Sequence, residues 1–148
     1  MIYLGTDHGG FEFKEKLKAW MSENNIPFED MGPDRFDAND DYPDFIVPAA
    51  KKTVENPESL GIVLGRSGNG EAIAANKVKG ARAALCLNVE MAKKAKEHNN
   101  ANVLSLGADY IDFETAKQIV EAFINTPFSG DERHVRRIEK IRVVEESE

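Results

Sequence analysis

Cysteine is nearly missing from this chain: Cys86 is the only one. That excludes an intrachain disulfide and a cysteine-clustered metal centre. No apolar run approaches the ~20 residues that cross a bilayer. The first residues enter an apolar strand pattern rather than a leader, so a cytoplasmic protein is expected. Positive charge is scarce, with 19 Lys and Arg against 26 Asp and Glu and a formal net charge of −7. Nucleic-acid binding needs a basic face that such a chain does not offer. An anionic substrate must then be held by local cations against the global field. Repeats, low-complexity tracts and interdomain linkers are also lacking, so residues 1–148 are expected to form a single domain, large enough for a core without covalent staples.

What is present is concentrated in Gly61–Lys77, GIVLGRSGNGEAIAANK. The apolar run Ile62-Val63-Leu64 stops at a loop of Gly and small polar residues, and a helical pattern opens at Glu71. Glycines let backbone approach a ligand, and the N–H groups opening a helix favour anions. An acid on that same turn suggests proton transfer on a small anionic molecule. The duller reading is a strand-to-helix turn with Glu71 serving the helix dipole. The loop lacks the Gly-Lys-Ser/Thr ending of a nucleoside-triphosphate loop, and it does not follow the first strand as a dinucleotide fingerprint does.

Around it, apolar runs alternate with helical periodicity. Strands are expected at Ile2–Leu4, Ile26–Met31, Gly61–Leu64, Ala81–Leu87 and Val103–Leu106. The helix after the first strand is marked by Phe11, Phe13, Leu17, Trp20 and Met21, with Trp20 and the Phe residues assigned to the core. Further helices are expected over about 44–55, 71–77, 89–97 and 113–124, and a basic one over about 131–143. Glu145, Glu146 and Glu148 read as a solvated tail. Five strand–helix units imply a three-layer α/β/α, Rossmann-like parallel sheet. The flavodoxin-like order 2-1-3-4-5 is expected, with the ligand crevice at the carboxyl ends of the first and third strands. That sets Asp7-His8-Gly9-Gly10 beside Ser67-Gly68-Asn69-Gly70-Glu71.

Asp7 and His8 end a strand at that crevice, where polar groups suggest function more than turn formation. His98-Asn99-Asn100 closes a helix, and on the residues alone a C-cap is the stronger reading. Arg133, His134, Arg136 and Arg137 form the one dense basic cluster, and 133, 136 and 137 share a helix face. They fit an anion clamp or a solvated face equally well. Cys86, inside an apolar run, reads as a small buried hydrophobe.

Four motifs occur in order: Asp7-His8-Gly9-Gly10-Phe11, Asp41-Tyr42-Pro43-Asp44, Gly68-Asn69-Gly70-Glu71 with Ile73–Lys77, and His98-Asn99-Asn100-Ala101-Asn102. Together they resemble the type B ribose-5-phosphate isomerases, whose family includes allose-6-phosphate and galactose-6-phosphate isomerases. The resemblance implies an aldose–ketose isomerase that needs no cofactor and no metal. It also implies a homodimer, or a tetramer built from it, with active sites shared between subunits. By position, Glu71 is the implied general base, matching the branch in which Gly65 stands where other members carry a Cys base. His98 is implied to open the sugar ring, and Asp7 with neighbours such as Tyr42 to hold the sugar. Ser67 and the amides of Gly68, Asn69 and Gly70 are implied to stabilise the enediolate. His8, Arg133 and Arg137 are implied to bind phosphate, with His98, Asn99 and the arginines reaching the other subunit's cleft.

Two residues depart from that pattern. Asp109 stands where the family usually has a phosphate-binding Arg, and Arg66 occupies a usually small position of the glycine loop. Arg66 is expected either to supply the missing positive charge or to pair with Asp109. The reading is an isomerase of ribose 5-phosphate; its alternatives are an isomerase of another sugar or hexose phosphate, and a non-catalytic sugar-phosphate-binding module.

Overall fold

The computed structural model describes all 148 residues. Five strands, β1 (Ile2–Thr6), β2 (Phe28–Asp30), β3 (Leu60–Gly65), β4 (Ala83–Leu85) and β5 (Val103–Gly107), form one sheet in which every ladder is parallel. The helices are α1 (Phe11–Glu23), α2 (Pro43–Val54), α3 (Asn69–Asn76), α4 (Val89–Asn99), α5 (Phe113–Asn125) and α6 (Glu132–Glu146), with a single 3₁₀ turn at His8–Gly10. No helix is long and apolar enough to cross a membrane.

Side chains alternate across a strand, so β3 feeds both faces of the sheet. Ile62 and Leu64 join a core with Leu17 and Met21 of α1, Ala92 and Ala95 of α4, and Ile119, Val120 and Phe123 of α5. Val63 joins a second core with Ile46, Ala49 and Ala50 of α2 and Ala75 of α3. The result is the expected α/β/α sandwich. Cys86 lies within the first core, and burial pushes its thiol up to about 11, as suits a packing residue.

The strand order is β2-β1-β3-β5-β4, so the last two strands are exchanged relative to the expected 2-1-3-4-5. Burial explains the exchange. All five residues of β5 are buried, whereas β4 is a three-residue strand, half-buried throughout, as befits an edge. The neighbours β1 and β3 are unaffected, so the crevice stays where it was expected.

Two other expectations are refined. Trp20 and Phe13 pack against the first core while only partly buried, Phe11 is partly buried, and Lys14 is wholly enclosed. The Lys14 ammonium donates to Asp30 at 2.7 Å and to the Pro33 carbonyl at 2.6 Å, which compensates its burial. The acidic end is not all solvated tail: α6 runs through Glu146, and the Glu145 carboxylate accepts the Gly80 amide at 3.0 Å.

Candidate active site

The ends of β1 and β3 are tied together before any site chemistry begins. The Thr6 hydroxyl, fully buried, donates to the Leu64 carbonyl at 2.8 Å. Asp7 then caps the 3₁₀ turn, its Oδ1 accepting the Gly9 amide at 2.8 Å. A Cβ at Gly9 would collide with the Arg66 side chain, so only glycine lets the first loop lie on the loop after β3.

Glu71 sits in the first turn of α3 and is 5% exposed. Burial, with a smaller push from the Asp7 charge, raises its carboxyl above the ordinary carboxylate value against a backbone hydrogen bond that lowers it. The space it occupies exists because residue 65 is glycine: a Cβ there would overlap the Glu71 carboxyl. Gly68 adopts φ 81°, a left-handed turn, and its carbonyl accepts the buried Ser105 hydroxyl at 2.7 Å. The Asn69 amide is engaged by the Ser67 hydroxyl oxygen at 3.1 Å. The other amides opening α3 have no acceptor within the helix. Tyr42 closes one wall over the glycine loop; a Cβ at Gly70 would come within 2.7 Å of its ring and hydroxyl.

His8 stands at the mouth of this cleft, where its Nδ1 bonds Asp40 Oδ1 at 2.7 Å. That hydrogen bond, opposed by burial and aided by the Asp7 and Asp40 charges, raises the imidazole above its ordinary value. Asp7, His8 and Asp40 offer atoms within 4.8 Å of one another, but the hydrogen bonds just described account for their grouping. Arg66 lies between His8 and the end of β5, its Nε 3.8 Å from Asp109 Oδ2. The backbones there are also joined, the Asp109 amide donating to the Arg66 carbonyl at 2.9 Å. That contact agrees with the expected pairing of Arg66 with Asp109.

The remaining candidates are elsewhere. Helix α4 returns antiparallel to the strands, so His98 and Asn99 lie at the amino ends of the sheet. There the Asn99 carbonyl accepts Arg82 Nε at 3.1 Å, next to the start of β4. The cap expected at Asn100 is present, with φ 44° and ψ 46°. The His98 ring stacks on His134 of α6 at 4.5 Å between centroids, and Arg133 pairs with Asp131 at 3.5 Å. Burial, with charges on His98 and Arg133, lowers His134 below its ordinary value. Arg137 follows one turn later on α6, whose far end meets Gly80 at the same end of the sheet. One chain therefore gathers Asp7, His8, Tyr42, Arg66, Ser67, Gly68, Asn69, Gly70 and Glu71 at one end. His98, Asn99, Arg133 and Arg137 are left at the other end of the sheet.

Asp40 was missed by sequence reasoning. It belongs to the acidic run Asp37–Asp41, in which spacing alone does not single out one carboxylate.

A buried carboxylate, glycine-loop amides and an imidazole at the switch point of a parallel sheet define a Rossmann-like protein equipped for proton transfer. The family model of ribose/galactose isomerases matches residues 2–141. A ribose-5-phosphate isomerase B of Mycolicibacterium paratuberculosis is 51% identical over 138 residues, covering 93% of this chain and 87% of that protein. The crystal structure of ribose-5-phosphate isomerase B from Mycoplasma genitalium with bound ribulose-5-phosphate matches with a TM-score of 0.95 at 39% identity, covering 99% and 97% of the two chains. The Thermotoga maritima enzyme matches with 0.91 at 43% identity, covering 96% and 97%. The chain belongs to the ribose/galactose isomerase family.

Proposed function

We propose that this protein interconverts D-ribose 5-phosphate and D-ribulose 5-phosphate, as its relatives' names indicate for them. The observation that carries the reading is the enclosed Glu71 carboxyl, seated at the start of the glycine loop in the space left by Gly65. A closed sugar has no free carbonyl, so an imidazole must first move a proton to the ring oxygen, the role given to His98. Glu71 then takes the C2 proton and returns it to C1, while the O2 hydroxyl proton passes to O1, so that the C1 carbonyl becomes a hydroxyl and C2 the carbonyl. Charge developing on the carbonyl oxygen meets the Gly68 and Gly70 amides and the Ser67 hydroxyl, with Asn69 acting mainly by holding the turn. Losing one such donor costs about 3 kcal/mol, a rate factor near 10². Asp7 and Tyr42 hold the sugar, and His8, Arg133 and Arg137 hold its phosphate.

That division of labour needs a second copy, because His98, Asn99 and the arginines stand at the wrong end of their own chain. The reading is therefore a homodimer in which those residues of one copy complete the cleft of the other. Supporting it, α6 turns Val135, Ile141, Val143 and Val144 outward, each about half exposed or more. A groove of about 820 Å³, bordered by Cys86, Met91, Ile141 and Val144, lies beside the edge strand β4 rather than at the cleft. A cytoplasmic location fits the lone buried Cys86.

The test is solvent-deuterium incorporation at C2 of ribose 5-phosphate. The isomerase incorporates deuterium and Glu71→Gln loses most of it; a mere binder incorporates none. One observation favours a second reading: Asp109 places a carboxylate beside Arg66, where a substrate phosphate would be repelled. An isomerase of another sugar phosphate would then give its highest kcat/KM with a different member of an aldose-phosphate panel.

A further inference from the structure

Asp40 is the least conventional group in the cleft. Its side chain is 7% exposed, its Oδ1 is used twice, and its Oδ2 is buried with no partner. The Oδ1 atom accepts both the His8 backbone amide at 3.0 Å and His8 Nδ1 at 2.7 Å. A carboxylate can only accept, so Nδ1 carries the proton and Nε2 is the nitrogen left for a ligand. A buried carboxylate with an idle oxygen is costly unless a cation offsets it. The group within hydrogen-bond reach that becomes a cation on protonation is the His8 imidazole.

The loop carrying Asp40 is held in place from below. Pro33 of that loop is bonded by the enclosed Lys14 at 2.6 Å. The Gly32 amide is bonded by Asp30 at 2.9 Å. Phe36 sets its edge against both His8 and Phe11, each at 6.2 Å between centroids. So much anchoring around an incompletely bonded carboxylate marks a group kept for what it does to its neighbour.

We propose that Asp40 is a positioning residue that clamps His8 through two hydrogen bonds and keeps it cationic, so that Nε2–H is presented to the phosphate of the substrate. This rests on the reading of His8 as a phosphate ligand. The other charges facing His8 are Asp7 from the end of β1, which favours the cation, and Arg66 from the loop after β3, which opposes it.

Asp40→Asn keeps the shape and acceptor oxygen while deleting the charge. The chain has three histidines, so their imidazole NMR signals can be assigned by substitution and titrated in the whole protein. In Asp40→Asn the His8 midpoint falls toward the ordinary imidazole value. Above that midpoint KM for ribose 5-phosphate rises about tenfold while kcat stays within about twofold, the pattern of a lost charge-assisted contact. Asp37→Asn, in the same loop, changes neither. A His8 midpoint unmoved in Asp40→Asn overturns the proposal, and so does a midpoint that falls while KM stays level. Should His8→Asn leave KM unchanged, the phosphate role of His8 fails, and the proposal with it. Should His8→Asn raise KM while Asp40→Asn shifts nothing, only the proposal fails.

Discussion

Gly65 and Glu71 exclude each other's volume: any side chain at position 65 would start inside the Glu71 carboxyl. The two positions therefore form a single choice, an acid on the helix with nothing on the strand end, or a strand-end side chain with the helix acid displaced. Gly65→Ala should push Glu71 out of the cleft without touching the proposed phosphate ligands. The expected result is a fall in kcat of about 10²-fold or more, the usual worth of a general base. Binding of ribulose 5-phosphate, measured by calorimetry, should hold within a few-fold. An unchanged kcat would remove Glu71 from the role of base.

The pH dependence should carry the same signature. A base must be deprotonated to work, and burial holds the Glu71 carboxyl above the ordinary carboxylate value. The acidic limb of the kcat profile is therefore expected above the usual carboxylate range. Asp7→Asn removes the charge that helps raise it, and should move that limb toward lower pH. A limb that stays fixed would mean that another group controls the profile.

Much of this site was legible from residues alone, and the boundary of legibility has physical reasons. Five strand–helix alternations, each with a local period, give the α/β/α class and put Asp7 beside Glu71. The exchange of β4 and β5 is not local: it depends on which strand can be buried on both faces, and the longer apolar run Ala81–Leu87 concealed that only Ala83–Leu85 pair. Asp40 was hidden among equivalent acids, and Lys14 among the charged residues of an amphipathic helix, because their partners are far away in sequence. The His98–His134 stack could not be read either, since α4 and α6 meet only through the tertiary fold.

That stack predicts an acid sensitivity. His134 is 6% exposed, bonded through Nδ1 to the Ser129 hydroxyl at 2.9 Å, and depressed below the ordinary imidazole value. A histidine depressed in the folded state takes up its proton more readily when unfolded, so it favours unfolding as the pH drops. Stability should therefore decline as pH falls below about 6.5, the unperturbed value, and continue to decline down to the folded one. Melting temperatures of the wild type at pH 8 and pH 5.5 should differ by more than those of His134→Asn. Equal differences would show that His134 does not carry the effect.

Arg66 and Asp109 allow a charge test. Both are exposed, and such pairs are worth about 1 kcal/mol or less, so the contact does not hold Arg66 against a competing dianion. In the proposed enzyme Asp109→Ala frees the guanidinium and should lower KM for ribose 5-phosphate by up to about fivefold. Arg66→Ala should raise it. If both variants keep the parental KM, the pair serves only to join the two loops.

The most decisive prediction concerns assembly, because the chain sets Glu71 and His98 at opposite ends of its own sheet. If each working cleft takes Glu71 from one copy and His98 from another, Glu71→Gln and His98→Gln homodimers are both inactive, but a hybrid of the two is not. One of its clefts has both substitutions and the other has neither. Random co-assembly makes half the dimers hybrid, each with one intact cleft of two, so about a quarter of the wild-type activity should return. Co-expression with two affinity tags isolates the hybrid, whose activity should be about half the wild-type value per dimer. A hybrid as inactive as the two substituted homodimers would show that Glu71 of one copy and His98 of the other do not share a working cleft.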